Sequence, residues 1–202
     1  MTESDTQALA NFLGTRRSHL YMLIDAAHDH TCPAQLRAQG LDVRSLFSGI
    51  KEITLAEVAP YLVVLPKKCE VLESLLRKYW GYGKCWSIII EGVLDAEKIR
   101  LQLKKSLMIE LDNGSMAYFR FYDSRAFEKF VAISNFGQMN FIFGDVVSQI
   151  YYASIGEMGS LMSLRRTQAN GWKTLICDNN YIMASHHRVG GKYVENIEQS
   201  AR

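Results

Sequence analysis

Asp25, His28, Asp29 and His30 crowd into one short stretch, and imidazole with carboxylate is a competent ligand set for zinc or iron. A small metal-dependent hydrolase built on Asp25, His28 and His30 is therefore one reading. Their spacing matches no established metal motif, and no partner that would orient a ligand imidazole can be identified. A strand end followed by a polar loop accounts for them more simply. His186 and His187 are weaker still, because adjacent side chains diverge in most backbone conformations. Tyr122, Asp123 and Arg125 could form an acid/base pair with an anion clamp. The same three residues serve equally as a strand end, a helix cap and an ion pair, and structural ion pairs commonly mimic active sites.

Nucleophile and phosphate motifs do not appear. There is no Gly-x-Ser-x-Gly elbow, Walker loop or dinucleotide-binding glycine fingerprint, and Gly81-Tyr82-Gly83 follows an expected helix, the wrong side for phosphate. Trp80, Tyr82 and Trp86 could be a stacking platform or a protein-binding anchor, but a helix-to-strand corner packed by tryptophans is the simpler reading. Arg165, Arg166 and Trp172 could mark a docking surface, with solvated charge as the alternative. The expectation is a non-enzymatic binding protein with no catalytic residue, metal or cofactor.

Composition narrows the partners. The 202-residue chain is 48% hydrophobic and 22% charged, an ordinary globular balance. A net charge of +2 is too small to point to nucleic acid or an anionic membrane. The start, Met1-Thr2-Glu3-Ser4-Asp5, is acidic where a signal peptide would be basic, and no window reaches about 18 uninterrupted apolar residues. The expectation is a cytoplasmic protein without membrane insertion. Cys32, Cys69, Cys85 and Cys177 are far apart and read as free thiols of a reducing compartment.

The elements that must position these residues follow from periodicity and caps. Ser4 to Leu13 reads as a helix closed by Gly14, and His19 to Asp25 as a buried strand presenting Asp25 at its end. Pro33 to Gln39 is an expected helix, Asp42 to Phe47 is extended, and Thr54 to Glu57 allows one helical turn before Pro60. Tyr61 to Leu65 is a strand between prolines. Leu72, Leu75, Leu76 and Tyr79 make the apolar stripe of a helix ending at Trp80-Gly81. Trp86 to Ile90 is a strand, and Asp95 caps a helix through Lys105. Asp123 or Ser124 caps a helix through Ile133, continuing as a helix from Asn135 to Phe143. Farther on, Val146 to Ser154 reads as extended and Met158 to Thr167 as helical. Trp172 to Cys177 and Tyr181 to Ala184 read as strands about Asp178-Asn179-Asn180.

Asp112-Asn113-Gly114-Ser115 between two apolar runs is a strong hairpin signal. A two-residue Asn113-Gly114 loop pairs Leu111 with Met116, Ile109 with Tyr118 and Leu107 with Arg120. Arg120 then points into an aliphatic face, in a hairpin covered on both sides. A desolvated guanidinium needs a carboxylate, and Asp123 and Asp25 are the candidates. The expected fold is α+β: a mixed sheet with a hairpin and helices packed on its faces. A helical extension occupies 1-18, a core domain 19-145 and a smaller lobe 146-202.

An ordered set of short motifs resembles the type VI secretion effector chaperones, also called adaptor proteins. The set comprises Leu20 to Ala26, Leu46-Phe47, Ala59 to Val63, Trp80-Gly81 with Trp86, the Asp112 to Gly114 hairpin, and Phe119-Arg120-Phe121-Tyr122-Asp123-Ser124-Arg125. It spans about residues 20 to 145. Asp25, Trp80, Gly81, Trp86, Arg120, Tyr122, Asp123 and Arg125 fall on the motifs as architectural positions. Ser124 stands where the family usually carries proline, which is expected to loosen the helix start. The resemblance implies a bacterial cytosolic protein without cofactor. It would bind a toxic effector and help load it onto the valine-glycine repeat spike protein. The motifs do not carry the surface that holds the effector; Arg165, Arg166 and Trp172 in the C-terminal lobe are the expected partner contacts on their residue types. A toxin-neutralising immunity protein is the alternative binding reading.

Overall fold

The computed structural model describes residues 3–80, 86–154, 161–167, 171–177, 183–189 and 192–196. Its centre is β1 (His19–Asp25), whose apolar run is explained by burial on both sides. Leu20, Met22 and Ile24 enter one hydrophobic cluster, and Tyr21 and Leu23 enter a second cluster on the opposite face. The first cluster is closed by α1 (Glu3–Thr15), α2 (Cys32–Ala38) and α4 (Cys69–Trp80). The second is closed by α5 (Ala96–Lys104), α6 (Ser124–Ile133) and α7 (Phe136–Phe143). The result is the expected α+β architecture, a sheet between helical layers.

The sheet runs β11-β10-β9-β8-β7-β4-β1-β3-β2. Its remaining members are β2 (Val43–Ser45), β3 (Pro60–Val64), β4 (Ser87–Gly92), β7 (Val147–Ala153), β8 (Leu161–Thr167), β9 (Gly171–Cys177), β10 (Met183–Val189) and β11 (Lys192–Asn196). Every described pairing is antiparallel, so the sheet is not mixed in strand direction. Helices still cover both faces, because the segments between strands cross over the sheet even where the strands they join run antiparallel. β7 hydrogen-bonds to β4, so the sheet itself continues past residue 145. Leu161 to Thr167 is strand β8, not a helix, and it pairs along its whole length with β9. Residues 178–180, which carry the expected turn, lie outside the described residues.

Caps and turns follow local sequence closely. The Asp95 carboxylate accepts from the Glu97 and Lys98 amides at the start of α5. Asn135 and Gln138 form a reciprocal capping box that starts α7 anew, because extended Ser134 ends α6 and the two helices are not continuous. Gly14 lies inside α1 instead of closing it. A β-carbon there would meet the Lys67 carbonyl at 3.3 Å, so the glycine serves close approach to the loop that leads into α4. Leu9, Ala10 and Leu13 are buried, so the N-terminal helix is docked on α4.

The hairpin departs most from expectation. Strands β5 (Met108–Glu110) and β6 (Met116–Tyr118) pair Met108 with Tyr118, Ile109 with Ala117 and Glu110 with Met116, one residue away from the expected register. The loop is longer than two residues. Asn113 Oδ1 accepts from the Ser115 amide at 3.0 Å, and the Gly114 amide donates back to the Leu111 carbonyl at 2.8 Å. The pair forms its own small sheet, with Met108, Met116 and Tyr118 partly exposed, and it is not covered on both sides. Among the described residues no helix is long and apolar enough to cross a membrane.

Candidate functional site

Three segments meet beside the C-terminal end of β1. One is the stretch after β2, Leu46-Phe47-Ser48, leading into helix α3 (Ile50–Thr54) and the 3-10 turn Ala56–Val58. The second is the hairpin with its entry and exit residues, and the third is the Asp25-Ala26-Ala27 corner. Between them lies a groove of about 640 Å³. Leu46, Phe47, Leu55 and Val58 line it from the first segment, and Leu107, Met108 and Tyr118 from the hairpin. Lys51, Lys104 and Arg120 supply its cations, and Asp25 is its one carboxylate. Such a volume, mostly apolar with a few polar groups, is in the ordinary range of a binding cleft.

More apolar side chains are exposed on the elements that line the groove. Ile50 and Ile53 on α3 are 80% and 81% exposed, and Met116 at the hairpin is 59% exposed. Exposed apolar surface gathered on neighbouring elements marks interaction sites. Helix α3 is too short to bury its isoleucines against the sheet. A run of Ile50, Ile53, Leu55 and Val58 without a helical stripe is the signal that sequence reading passed over.

The polar floor is well ordered. Arg120 Nη2 donates to Asp25 Oδ2, and the Ala27 amide donates to Asp25 Oδ1 at 2.9 Å. Asp25 is therefore the partner of Arg120, and Asp123 is not. Arg120 follows the end of β6 instead of lying within a strand, and its side chain is 41% exposed, so it is not a fully buried strut. Burial alone would lower its pKa, but the Asp25 carboxylate outweighs this and raises it. Tyr122 is buried, and its hydroxyl meets that of Tyr118 at 3.0 Å; burial pushes both phenols above their ordinary value.

Asp123 has a different task. Its carboxylate caps α6 by accepting from the Arg125 amide at 2.9 Å and receives the Arg125 guanidinium as well. Burial pushes the carboxyl up, yet the Arg125 hydrogen bonds pull it below its usual value. Ser124 does not loosen the helix start, because its hydroxyl donates to the Ser87 carbonyl at 2.6 Å and ties the start to β4. His28 stacks flat on Trp86 at 4.5 Å and lies 3.8 Å from Asp123. Asp29 accepts from Thr31 and pairs with Lys78, and His30 is exposed. Asp25, His28, Asp29 and His30 thus go to separate partners or to solvent. Among the described residues no three His, Cys, Asp or Glu side chains gather into a metal site.

The remaining positions are scattered. Trp80 ends α4, and Gly81 lies outside the described residues. Arg166 donates to the Gly144 carbonyl and pairs with Asp145. Trp172 is half-buried against Phe143, so both hold β8 and β9 onto α7. Arg165 is exposed beside Gln149.

A family model described as a domain of unknown function, DUF4123, matches residues 20–140, more than half of the chain. No curated protein matches. No solved structure matches either.

Proposed function

The chain belongs to the DUF4123 family, and on that premise we propose that it is a non-enzymatic chaperone or adaptor. It binds a type VI secretion effector and helps load it onto the valine-glycine repeat spike protein. The observation that carries this reading is the groove at the end of β1, open and largely apolar, with Ile50, Ile53 and Met116 exposed on the elements that line it. A protein that must hold another chain needs such a surface on a rigid frame, and the helix-covered sheet supplies one. The ordered motifs from Leu20 to Arg125 support the same reading, since Asp25, Leu46, Phe47, Arg120 and Tyr122 line the groove and Asp123 and Ser124 fix the start of α6. Of the expected C-terminal contacts, Arg165 is retained as an outlying contact to the effector, because it is the exposed one.

Co-expression with the adjacently encoded effector tests the reading. The expected result is a complex stable through size-exclusion chromatography, with effector that is insoluble alone becoming soluble, and capture of the spike protein only when the effector is present. An effector that neither co-purifies nor gains solubility would overturn it.

A further inference from the structure

The charges around the groove specify what enters it. Lys51 is exposed, and no acidic side chain pairs with it among the described residues. Among the described residues Lys104 reaches only the Ser48 hydroxyl, at 2.8 Å. Arg120 gives one nitrogen to Asp25 and finds no further acceptor among the described residues. Three cations thus face one carboxylate, and that carboxylate is already engaged. The lining of the groove thus carries more positive than negative charge, on walls that are largely apolar.

We propose that the groove docks an amphipathic segment of the effector in which apolar side chains are interspersed with at least one carboxylate; this rests on the chaperone reading above. The carboxylate lies against Lys51, Lys104 and the open side of Arg120, and the apolar side chains lie on Leu55, Val58 and Tyr118. A chain segment fits better than a small anionic ligand. Ile50, Ile53 and Met116 are exposed on the same elements that line the cavity, and a molecule confined to about 640 Å³ would leave those side chains in water. Helix α3, which carries Ile50 and Ile53, gives such a segment an apolar ridge to lie along.

The experiment compares full-length variants in the effector co-purification. Lys51→Glu with Lys104→Glu reverses the rim charge, and Ile53→Asp with Val58→Asp places charge on the exposed α3 ridge and on the apolar wall. Ile133→Asp, an equally exposed apolar site at the end of α6, is the control. Because the altered side chains are mostly exposed, circular dichroism melting should match the wild type and exclude unfolding. The expected result is an affinity loss of at least about tenfold for each groove variant and none for the control. The wild-type affinity should also weaken with added salt, and that dependence should be lost or inverted in the charge-reversed protein.

Groove variants that bind as tightly as the wild type would overturn the docking proposal and leave the chaperone reading standing. A wild-type protein that fails to capture the effector removes both. A fatty acid found in the purified protein by mass spectrometry and displaced by neither effector nor variant would assign the groove to a lipid instead. A dimer that dissolves on Ile53→Asp would assign it to a second copy. Either outcome overturns the proposal.

Discussion

The Arg120 guanidinium closes on the Asp25 carboxylate across 95 positions of sequence, joining the exit of the hairpin to the end of β1. Asp25 is almost wholly buried in this pair, and the Ala27 amide takes its other oxygen. The contact holds two walls of the groove at a set distance.

Arg120→Ala should therefore destabilise the protein by about 2 kcal/mol. That is less than the loss from breaking a fully buried pair, because the guanidinium is partly solvated. Urea denaturation measures it. Asp25→Asn with Arg120 intact should cost less than Arg120→Ala, since it leaves no buried charge behind. A reversed order would show that Asp25 is not desolvated as found.

Glu91, near the end of β4, gives a pH-dependent term. Burial pushes its carboxyl up, but the Arg16 guanidinium at 2.6 Å and the Tyr151 hydroxyl at 2.5 Å bring it below its ordinary 4.5. A carboxyl lowered in the folded state stabilises the fold above its unfolded value, and that contribution is lost as pH falls through the folded one. The melting temperature should fall between about pH 5 and about pH 3, and Glu91→Gln should flatten that slope while lowering stability at neutral pH by about 3 kcal/mol. Asp123, lowered in the same way by Arg125, adds to the wild-type slope with the same sign.

Asp123 can be tested as a cap. Asp123→Ala should cost about 1 to 2 kcal/mol, while Asp123→Asn should lose only part of that, because an amide oxygen still accepts from the Arg125 backbone. Arg125→Ala should change stability by no more than about 1 kcal/mol, since its side chain is half exposed. Chemical denaturation of the three variants separates cap from ion pair.

Gly92 sits where the β4–β7 register shifts, and a β-carbon there would meet Ile99 Cδ1 at 2.3 Å and the Val146 carbonyl at 2.6 Å. The isoleucine can yield but the carbonyl is backbone. Gly92→Ala should destabilise by about 1 to 3 kcal/mol, read as a lowered melting temperature. An unchanged melting temperature would mean that α5 does not press on the sheet at this point.

What the sequence alone determined about this protein is what a few adjacent residues settle among themselves. Asp95, Asp123 and Asn135 mark helix starts because a short polar side chain reaches its own next turn. The unbroken apolar run of β1 announces burial on both faces, and the stripe from Leu72 to Tyr79 gives the buried side of α4. Even the hairpin's existence is local, through Gly114 at φ 78° and the Asn113 turn. Its register was not, because the Asx bond to Ser115 lengthens the loop and a one-residue slip exchanges the faces. Only the tertiary structure decided which carboxylate Arg120 meets, that every described sheet pairing is antiparallel, and that Ile50, Ile53, Leu55 and Val58 remain exposed beside the hairpin. These outcomes turn on segments tens of residues apart competing for the same surface, and the residues on either side of each position carry no record of which one wins.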